Sequence, residues 1–335
     1  MLKTLFAIVV VGLLAAAGYC GWYVATPIAV SSLPAAFDIA PGMRLRAAAQ
    51  RIEDGGVAVG RLQFELLARA LGRAADVKAG SYELTVAPTP LELLDKLTRG
   101  DVLQAEVRFI EGWTFRQMRA ALDANLFVRH DSQALGEAQL MQKLGAREVL
   151  AEGLFFPDTY LFAKGTSDLR VLQRAYRAMQ RHLAREWQAR EPSLPYKAPY
   201  EALIMASVIE KETGQAAERD LIAGALVNRL RIGMLLQVDP TVIYGLGDAF
   251  NGNLKKIHLL TDGPYNTYTR GGLPPTPIAA PGLASLRAAL RPAKTGALYY
   301  VARGDGSSEF SRTLDEHNRA VRKYQLNGGR NQAAR

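Results

Sequence analysis

The stretch Pro199-Tyr200-Glu201-Ala202-Leu203-Ile204-Met205-Ala206-Ser207-Val208-Ile209-Glu210-Lys211-Glu212-Thr213-Gly214 decides how the rest of the chain is read. Proline near the first turn and glycine just past the last mark the two ends of a helix. Between Ala202 and Ile209 every residue but Ser207 is apolar, so most of the circumference must lie inside the fold. Glu210 and Glu212 then appear at the C-terminal end, where the helix dipole disfavours negative charge. A carboxyl pressed against a dry surface there has its pKa raised, as a general acid working near neutrality requires. Met205, Val208, Ile209 and Glu212 follow the i, i+3, i+4, i+7 spacing, so Glu212 continues an apolar stripe. Glu210 falls instead on the line of Leu203, Ala206 and Ser207. Two solvated glutamates flanking Lys211 in a last helical turn would read the same way.

Downstream, Glu218-Arg219-Asp220 opens a second helix that runs to Gly233. In Leu236-Gln237-Val238-Asp239-Pro240-Thr241, Asp239 before Pro240 reads as an N-cap with proline at the first helical position. Gln237 in the same turn is left to bond a ligand. Pro264-Tyr265-Asn266-Thr267-Tyr268 sets an amide between two phenols, ahead of the rigid loop Gly271 to Ile278. Tyrosine rings offer an apolar face with a polar tip, suited to the mixed surfaces of a sugar, although a tyrosine corner in a turn fits the same letters.

Upstream, Ser167-Asp168 caps a long helix whose stripe Leu172, Tyr176, Met179, Leu183 and Trp187 faces a core. Before it, Glu152-Gly153-Leu154-Phe155-Phe156-Pro157-Asp158-Thr159-Tyr160 packs aromatics around a helix-breaking proline. That segment is either a turn anchored in a core or an aromatic wall beside a ligand, with Asp158 as a polar contact.

Between residues 31 and 150 a pattern of extended lead-in, turn and short amphipathic helix recurs at Ile39 to Ile52, Val86 to Leu97 and Ile110 to Leu122. Leu45, Leu91 and Phe115 coincide in the overlay, as do Ala48, Leu94 and Met118. Units this small cannot bury a core alone and should pack together.

At the other end, Leu5 to Val30 carries no charge, a run long enough to cross a hydrocarbon core at about 1.5 Å per residue. A cleavable signal peptide is the rival, with Ala15-Ala16-Ala17-Gly18 as the cut, but the run exceeds a usual apolar core of that kind. Lys3 places the short end in the cytoplasm, so everything from about Leu33 onward is expected outside it.

Bulk properties exclude more than they assign. The 335 residues carry a net charge of +9, which suits an anionic partner, but the 41 basic residues are dispersed and no basic run interleaves with aromatics. Nucleic acid is therefore not expected. Cys20 is the single cysteine, which leaves no disulfide and no thiol nucleophile beyond the apolar run. His130, His182, His258 and His317 lie too far apart for metal spacing, and no P-loop, dinucleotide fingerprint or GxSxG elbow occurs. No metal or cofactor is expected.

Five blocks, Ala206 to Thr213, Asn228 to Met234, Gln237 to Gly245, Tyr265 to Tyr268 and Gly272 to Pro275, stand in the order found in the YceG-like endolytic murein transglycosylases. With the apolar N-terminus and the Glu152-Gly153 to Asp158-Thr159 segment, the chain resembles that family over nearly its whole length. The resemblance implies an α+β protein with an N-terminal transmembrane helix (1–30), small α+β modules (31–150) that include a LysM-like unit at about 80–125, and a mixed α+β catalytic domain (151–330). Its catalytic glutamate would sit on the buried helix. The implied protein lies in the bacterial inner membrane by a single pass, with its N-terminus cytoplasmic and its catalytic domain periplasmic. There it would cut nascent peptidoglycan strands between N-acetylmuramic acid and N-acetylglucosamine, leave 1,6-anhydro ends, and work with peptidoglycan synthases. One catalytic glutamate is implied in Glu210-Lys211-Glu212; Glu212, followed by Thr213, is the first assignment and Glu210 the second. Thr213, Gln237, Tyr265, Asn266, Tyr268 and Asp158 are the expected substrate contacts. A hydrolytic muramidase using Asp158 or Asp239 as a second acid, and a glycan-binding scaffold without catalysis, remain as alternatives.

Overall fold

A computed structural model of the protein describes residues 2–212 and 215–326. The first element is helix α1 (Leu2–Ala25). Within it Phe6–Ala25, 20 residues of mean hydropathy 1.9 with none of the window buried, is long and apolar enough to cross a membrane. That is compatible with a single-pass anchor.

The chain divides into two compact units. The first comprises Met1–Glu106, Phe127–Arg129 and Leu161–Thr166. It contains β1 (Ala35–Ile39), α2 (Leu45–Asp54), α3 (Arg61–Ala70), β2 (Gly80–Leu84) and α4 (Pro90–Arg99). Strands β1 and β2 pair antiparallel, with Phe37 opposite Tyr82. Alternation along β1 turns Ala35, Phe37 and Ile39 inward and Ala36 and Asp38 outward. Phe37 and Tyr82 stack at 5.6 Å, and Ile52, Phe64, Leu93, Leu94 and Leu97 close the core around them. Thr89 caps α4 through a reciprocal capping box with Glu92, and Pro90 opens the helix, so the strand-turn-helix order read from the sequence has a local cause.

The second unit holds Val107–Leu126, His130–Tyr160 and Ser167–Arg335. The sequence boundary at 150 falls inside it. Short strands β3 (Gln104–Arg108), β4 (Val128–Arg129), β5 (Thr159–Ala163) and β6 (Thr166–Ser167) lie in the stretch where the chain alternates between the units, with helices α5 (Phe115–Asp123) and α6 (Glu137–Leu144) among them. Then follow α7 (Asp168–Gln188), α8 (Pro199–Glu212), α9 (Arg219–Arg231), α10 (Asp239–Leu246), α11 (Lys256–Leu260), α12 (Leu283–Leu290), the hairpin of β7 (Tyr299–Ala302) with β8 (Ser308–Ser311), and α13 (Leu314–Val321). The protein is thus of mixed α+β class.

Helix α8 is the hub of this unit. Every residue from Ala202 to Ile209 is buried, and the helix packs against α7, α9, α10 and α12. Ser207, its one polar interior group, is satisfied: its hydroxyl donates to the Ile204 carbonyl (2.7 Å) and accepts from the Ile278 amide (3.0 Å). Since the line of Leu203, Ala206 and Ser207 is as buried as that of Met205 and Ile209, apolar periodicity does not separate Glu210 from Glu212.

Two local readings change. The aromatics of the 152–160 segment form core and no wall: Leu154, Phe155, Phe156 and Tyr160 are buried, Phe155 stacks on Phe115 at 4.9 Å, and Phe156 stacks on His182 at 4.2 Å. Asp239 is the first residue of α10 and not its cap, because Val238 holds the cap position. The turn is tied by threonines instead, with the Val238 amide donating to Thr267 Oγ1 (3.0 Å) and Thr241 Oγ1 sharing a bond with Thr267 Oγ1 (2.9 Å).

Candidate active site

The C-terminal turn of α8 sends two carboxylates to different surroundings. Glu212 is half-buried, and its Oε1 accepts from the Tyr300 hydroxyl at 2.9 Å. Burial pushes its carboxyl pKa up and the neighbouring Asp239 adds to the rise, against the hydrogen bond from Tyr300 and the positive charge of Arg229. Tyr300 is raised well above an ordinary phenol by burial and by the Glu212 charge, so it stays a donor.

Each neighbour is held by its own element. Tyr300 comes from β7, whose antiparallel register with β8 sets Tyr300 opposite Phe310. Arg229 lies in α9, buried, with Nε donating to the Leu298 carbonyl (2.6 Å) and Nη1 to the Leu236 carbonyl (2.5 Å). Those bonds fix a guanidinium whose charge is not spent on a carboxylate ion pair among the described residues. Asp239 at the start of α10 accepts from the Tyr268 hydroxyl at 2.5 Å. Tyr268 is half-buried, and both Asp239 and Glu212 push its phenol pKa up, after burial itself. Asp239 is exposed, so the cluster opens to solvent on that side while its far end is dry.

Glu210 is also half-buried, but its Oε2 accepts from the Gly282 amide (2.9 Å) at the N-cap of α12. It therefore ties two helices. Glu111 stands near it; burial and then the Glu210 charge raise the Glu111 pKa, and Arg219 opposes them.

The other expected contacts scatter. Gln237 is exposed beside the cluster, in a left-handed backbone conformation (φ 52°) with its amide donating to the Thr267 carbonyl (3.0 Å). Asn266 is buried, and its amide is consumed by the loop: Nδ2 donates to the carbonyls of His258, Leu259 and Thr261, and Oδ1 accepts from the Tyr268 amide. It sets Tyr268 and is held within its own loop. Tyr265 turns from the cluster and meets Tyr244 edge-on at 4.9 Å, with its hydroxyl on Thr276 (2.8 Å). Asp158 is exposed beside Tyr160 and His182, and its Oδ1 accepts from the Thr159 amide (2.7 Å). Thr213 lies outside the described residues. Tyr300 and Arg229 were not found by sequence reasoning, and Asp239 entered it only as an N-cap and as the second acid of a muramidase.

The arrangement favours a proton on Glu212 at pH values where an ordinary glutamate has lost it, leaves that proton on the side open to solvent, and stabilises the anion left after transfer. Comparison with known proteins gives the family. The sequence model of the YceG-like family matches residues 37–323. An endolytic murein transglycosylase of Bacillus subtilis (strain 168) is 30% identical over 311 residues, covering 86% of this chain and 84% of the relative. One of Streptococcus pneumoniae serotype 2 is 28% identical over 357 residues, covering 95% of this chain, which spans 64% of that longer protein. The 2.6 Å crystal structure of a yceG-like protein from Listeria monocytogenes superposes with a TM-score of 0.52 at 29% identity, covering 85% of this chain and 97% of its own. Matched along most of its length in sequence and in fold, the chain belongs to the YceG-like family.

Proposed function

We propose that this protein is an endolytic murein transglycosylase and that Glu212 is its catalytic acid and base. Membership of the family and the names of the relatives support the enzyme class. The observation that carries the residue assignment is the Glu212 carboxyl, raised by burial yet facing a cluster that opens to solvent at Asp239.

Protonated Glu212 donates to the glycosidic oxygen between N-acetylmuramic acid and N-acetylglucosamine, and the C1–O bond breaks as an oxocarbenium-like sugar develops. The Glu212 carboxylate then takes the proton of the muramic acid 6-hydroxyl, whose oxygen bonds to C1 and closes a 1,6-anhydro ring. The first proton leaves on the 4-hydroxyl of the departing N-acetylglucosamine, the 6-hydroxyl proton restores the acid form of Glu212, and no water is consumed. Because the nucleophile belongs to the substrate, its effective concentration is high and one carboxyl suffices. Tyr300 and Arg229 stabilise the carboxylate midway. Tyr268 and Gln237 line the open side toward the sugars, Thr213 follows the acid, and Asn266 and Tyr265 hold the loop that carries Tyr268.

The proximity of Asp239 to Glu212 favours one rival, a muramidase in which Asp239 activates water. Digestion of purified murein sacculi by the full chain separates the two by mass spectrometry of the product ends. Anhydro ends support the transglycosylase; reducing ends convert it to a hydrolase; no products at all leave a glycan-binding scaffold. In the cell the cuts would end strand elongation beside peptidoglycan synthases, from an inner-membrane anchor with the N-terminus cytoplasmic and the catalytic part periplasmic, and the unit around β2 and α4 would serve as a LysM-like glycan contact.

A further inference from the structure

Within the second unit lies another carboxyl that the mechanism above does not use. Glu152 is 8% exposed; its Oε1 accepts from the Phe115 amide (3.0 Å) and its Oε2 from the Tyr244 hydroxyl (3.1 Å). Its backbone is pinned, since Gly153 has φ 75° and a Cβ there would run into Pro277 and the Ala279 carbonyl. The groups facing it are Glu137 from α6, Tyr200 from α8 and Tyr244 from α10, with the backbone amides of Phe115 and Gly153. None of these is a cation. A buried carboxylate with no cation beside it among the described residues is a costly way to fill a polar gap, and a glutamine would bond the same neighbours at lower cost.

Tyr244 and Asp239 belong to the same eight-residue helix, α10. At one end Tyr244 reaches Glu152; at the other Asp239 accepts from Tyr268, which stands beside Glu212. The face between is closely applied to the 265–268 loop: Thr241 bonds Thr267, Tyr265 lies edge-on to Tyr244, and a Cβ on Gly245 would come within 3.0 Å of Tyr265 Cβ. A shift at Tyr244 therefore moves the loop that carries Tyr268.

We propose that Glu152 is a positioning residue which, through the Tyr244 hydroxyl, sets α10 and with it Asp239 and Tyr268 beside Glu212. The proposal rests on the reading of Glu212 as the acid. The ionised carboxyl accepts from Phe115 and Tyr244 together. Once protonated, it carries a hydrogen of its own toward one partner, and Tyr244 must turn its proton elsewhere. Burial lifts the Glu152 pKa to about 7, so both forms are populated near neutrality.

Two measurements test this on the full chain. The first is the pH profile of kcat and KM on purified glycan strands for the wild type, Glu152→Gln and Tyr244→Phe. The wild type gives a bell whose low-pH limb follows Glu152 and whose high-pH limb follows Glu212. Glu152→Gln and Tyr244→Phe each lose about tenfold in kcat with KM within about twofold, Glu152→Gln loses the low-pH limb but keeps the high-pH one, and the double variant is no worse than either single. The second needs no catalysis: with 3-fluorotyrosine incorporated in a Glu212→Gln background, the fluorine resonance of Tyr268, assigned by Tyr268→Phe, titrates with a midpoint near 7 and stops doing so in Glu152→Gln. Wild-type kcat with an unchanged low-pH limb in Glu152→Gln, or a Tyr268 titration indifferent to it, overturns the proposal. Residual cleavage by Glu212→Gln instead removes the mechanism, while the fluorine measurement still decides the coupling.

Discussion

Glu210 and Glu212 leave one helix end two residues apart and meet opposite surroundings. Glu210 turns to the backbone amide that opens α12 and spends its charge as a capping acceptor. Glu212 turns to side chains: a phenol that donates, a buried guanidinium bonded to backbone carbonyls, and an aspartate that repels. The first environment uses the carboxylate as an acceptor for a backbone amide. The second supports both protonation states, with desolvation favouring the acid and Tyr300 and Arg229 favouring the base. Identical residue types on one helix thus acquire structural and chemical roles from what packs against each.

The largest test of that contrast is substitution of each glutamate by glutamine. Glu212→Gln is expected to lower turnover on murein by about a thousandfold, in the range of general acid–base catalysis, while Glu210→Gln stays within about tenfold. Equal losses would erase the distinction. Next comes Tyr300→Phe, which removes a bond that lowers the Glu212 pKa. That pKa then rises further, so the high-pH limb of activity moves to higher pH while the optimum falls about tenfold, as the carboxylate loses a donor. A limb that moved down would put the acid elsewhere.

Smaller effects concern stability. The Glu212 carboxyl has a folded pKa above its ordinary 4.5, so on raising the pH the unfolded chain ionises first. Stability contributed by this group is full below 4.5 and is lost as pH climbs toward the folded value. Glu212→Gln should remove that part of the pH dependence in thermal melts between acid and neutral pH. Glu210→Ala leaves the Gly282 amide without its acceptor and should cost about 1–2 kcal/mol, at little expense in turnover. Smallest is Gly282→Ala, whose Cβ would meet the Glu111 carboxyl; an exposed, flexible side chain can swing away, so the melting temperature should fall by less than for Glu210→Ala.

Sequence spacing made much of this scaffold legible, for reasons that are local. Pro199, the unbroken apolar run and the charged end delimit α8, and Pro240 delimits α10, because backbone restriction and burial act within a few residues. The site was legible only in part. Tyr300 reaches Glu212 across 88 positions, and Arg229 reads in sequence as an ordinary basic residue near a helix end, although α9 is buried along the side that carries it. No periodicity encodes which helix interior faces which strand. The aromatics around Pro157 and the amide of Asn266 misled in the opposite direction: their composition suits a ligand, but their contacts are spent on the core and on the loop's own carbonyls.

Catalysis by Glu212 depends on a proton kept at pH values where an ordinary glutamate has lost it. Carbon-13 NMR of the side-chain carboxyls, with Glu212 assigned by loss of its signal in Glu212→Gln, measures this directly. The account predicts a titration midpoint above 4.5 that rises again in Tyr300→Phe. A midpoint at or below 4.5, unmoved by Tyr300→Phe, would contradict it.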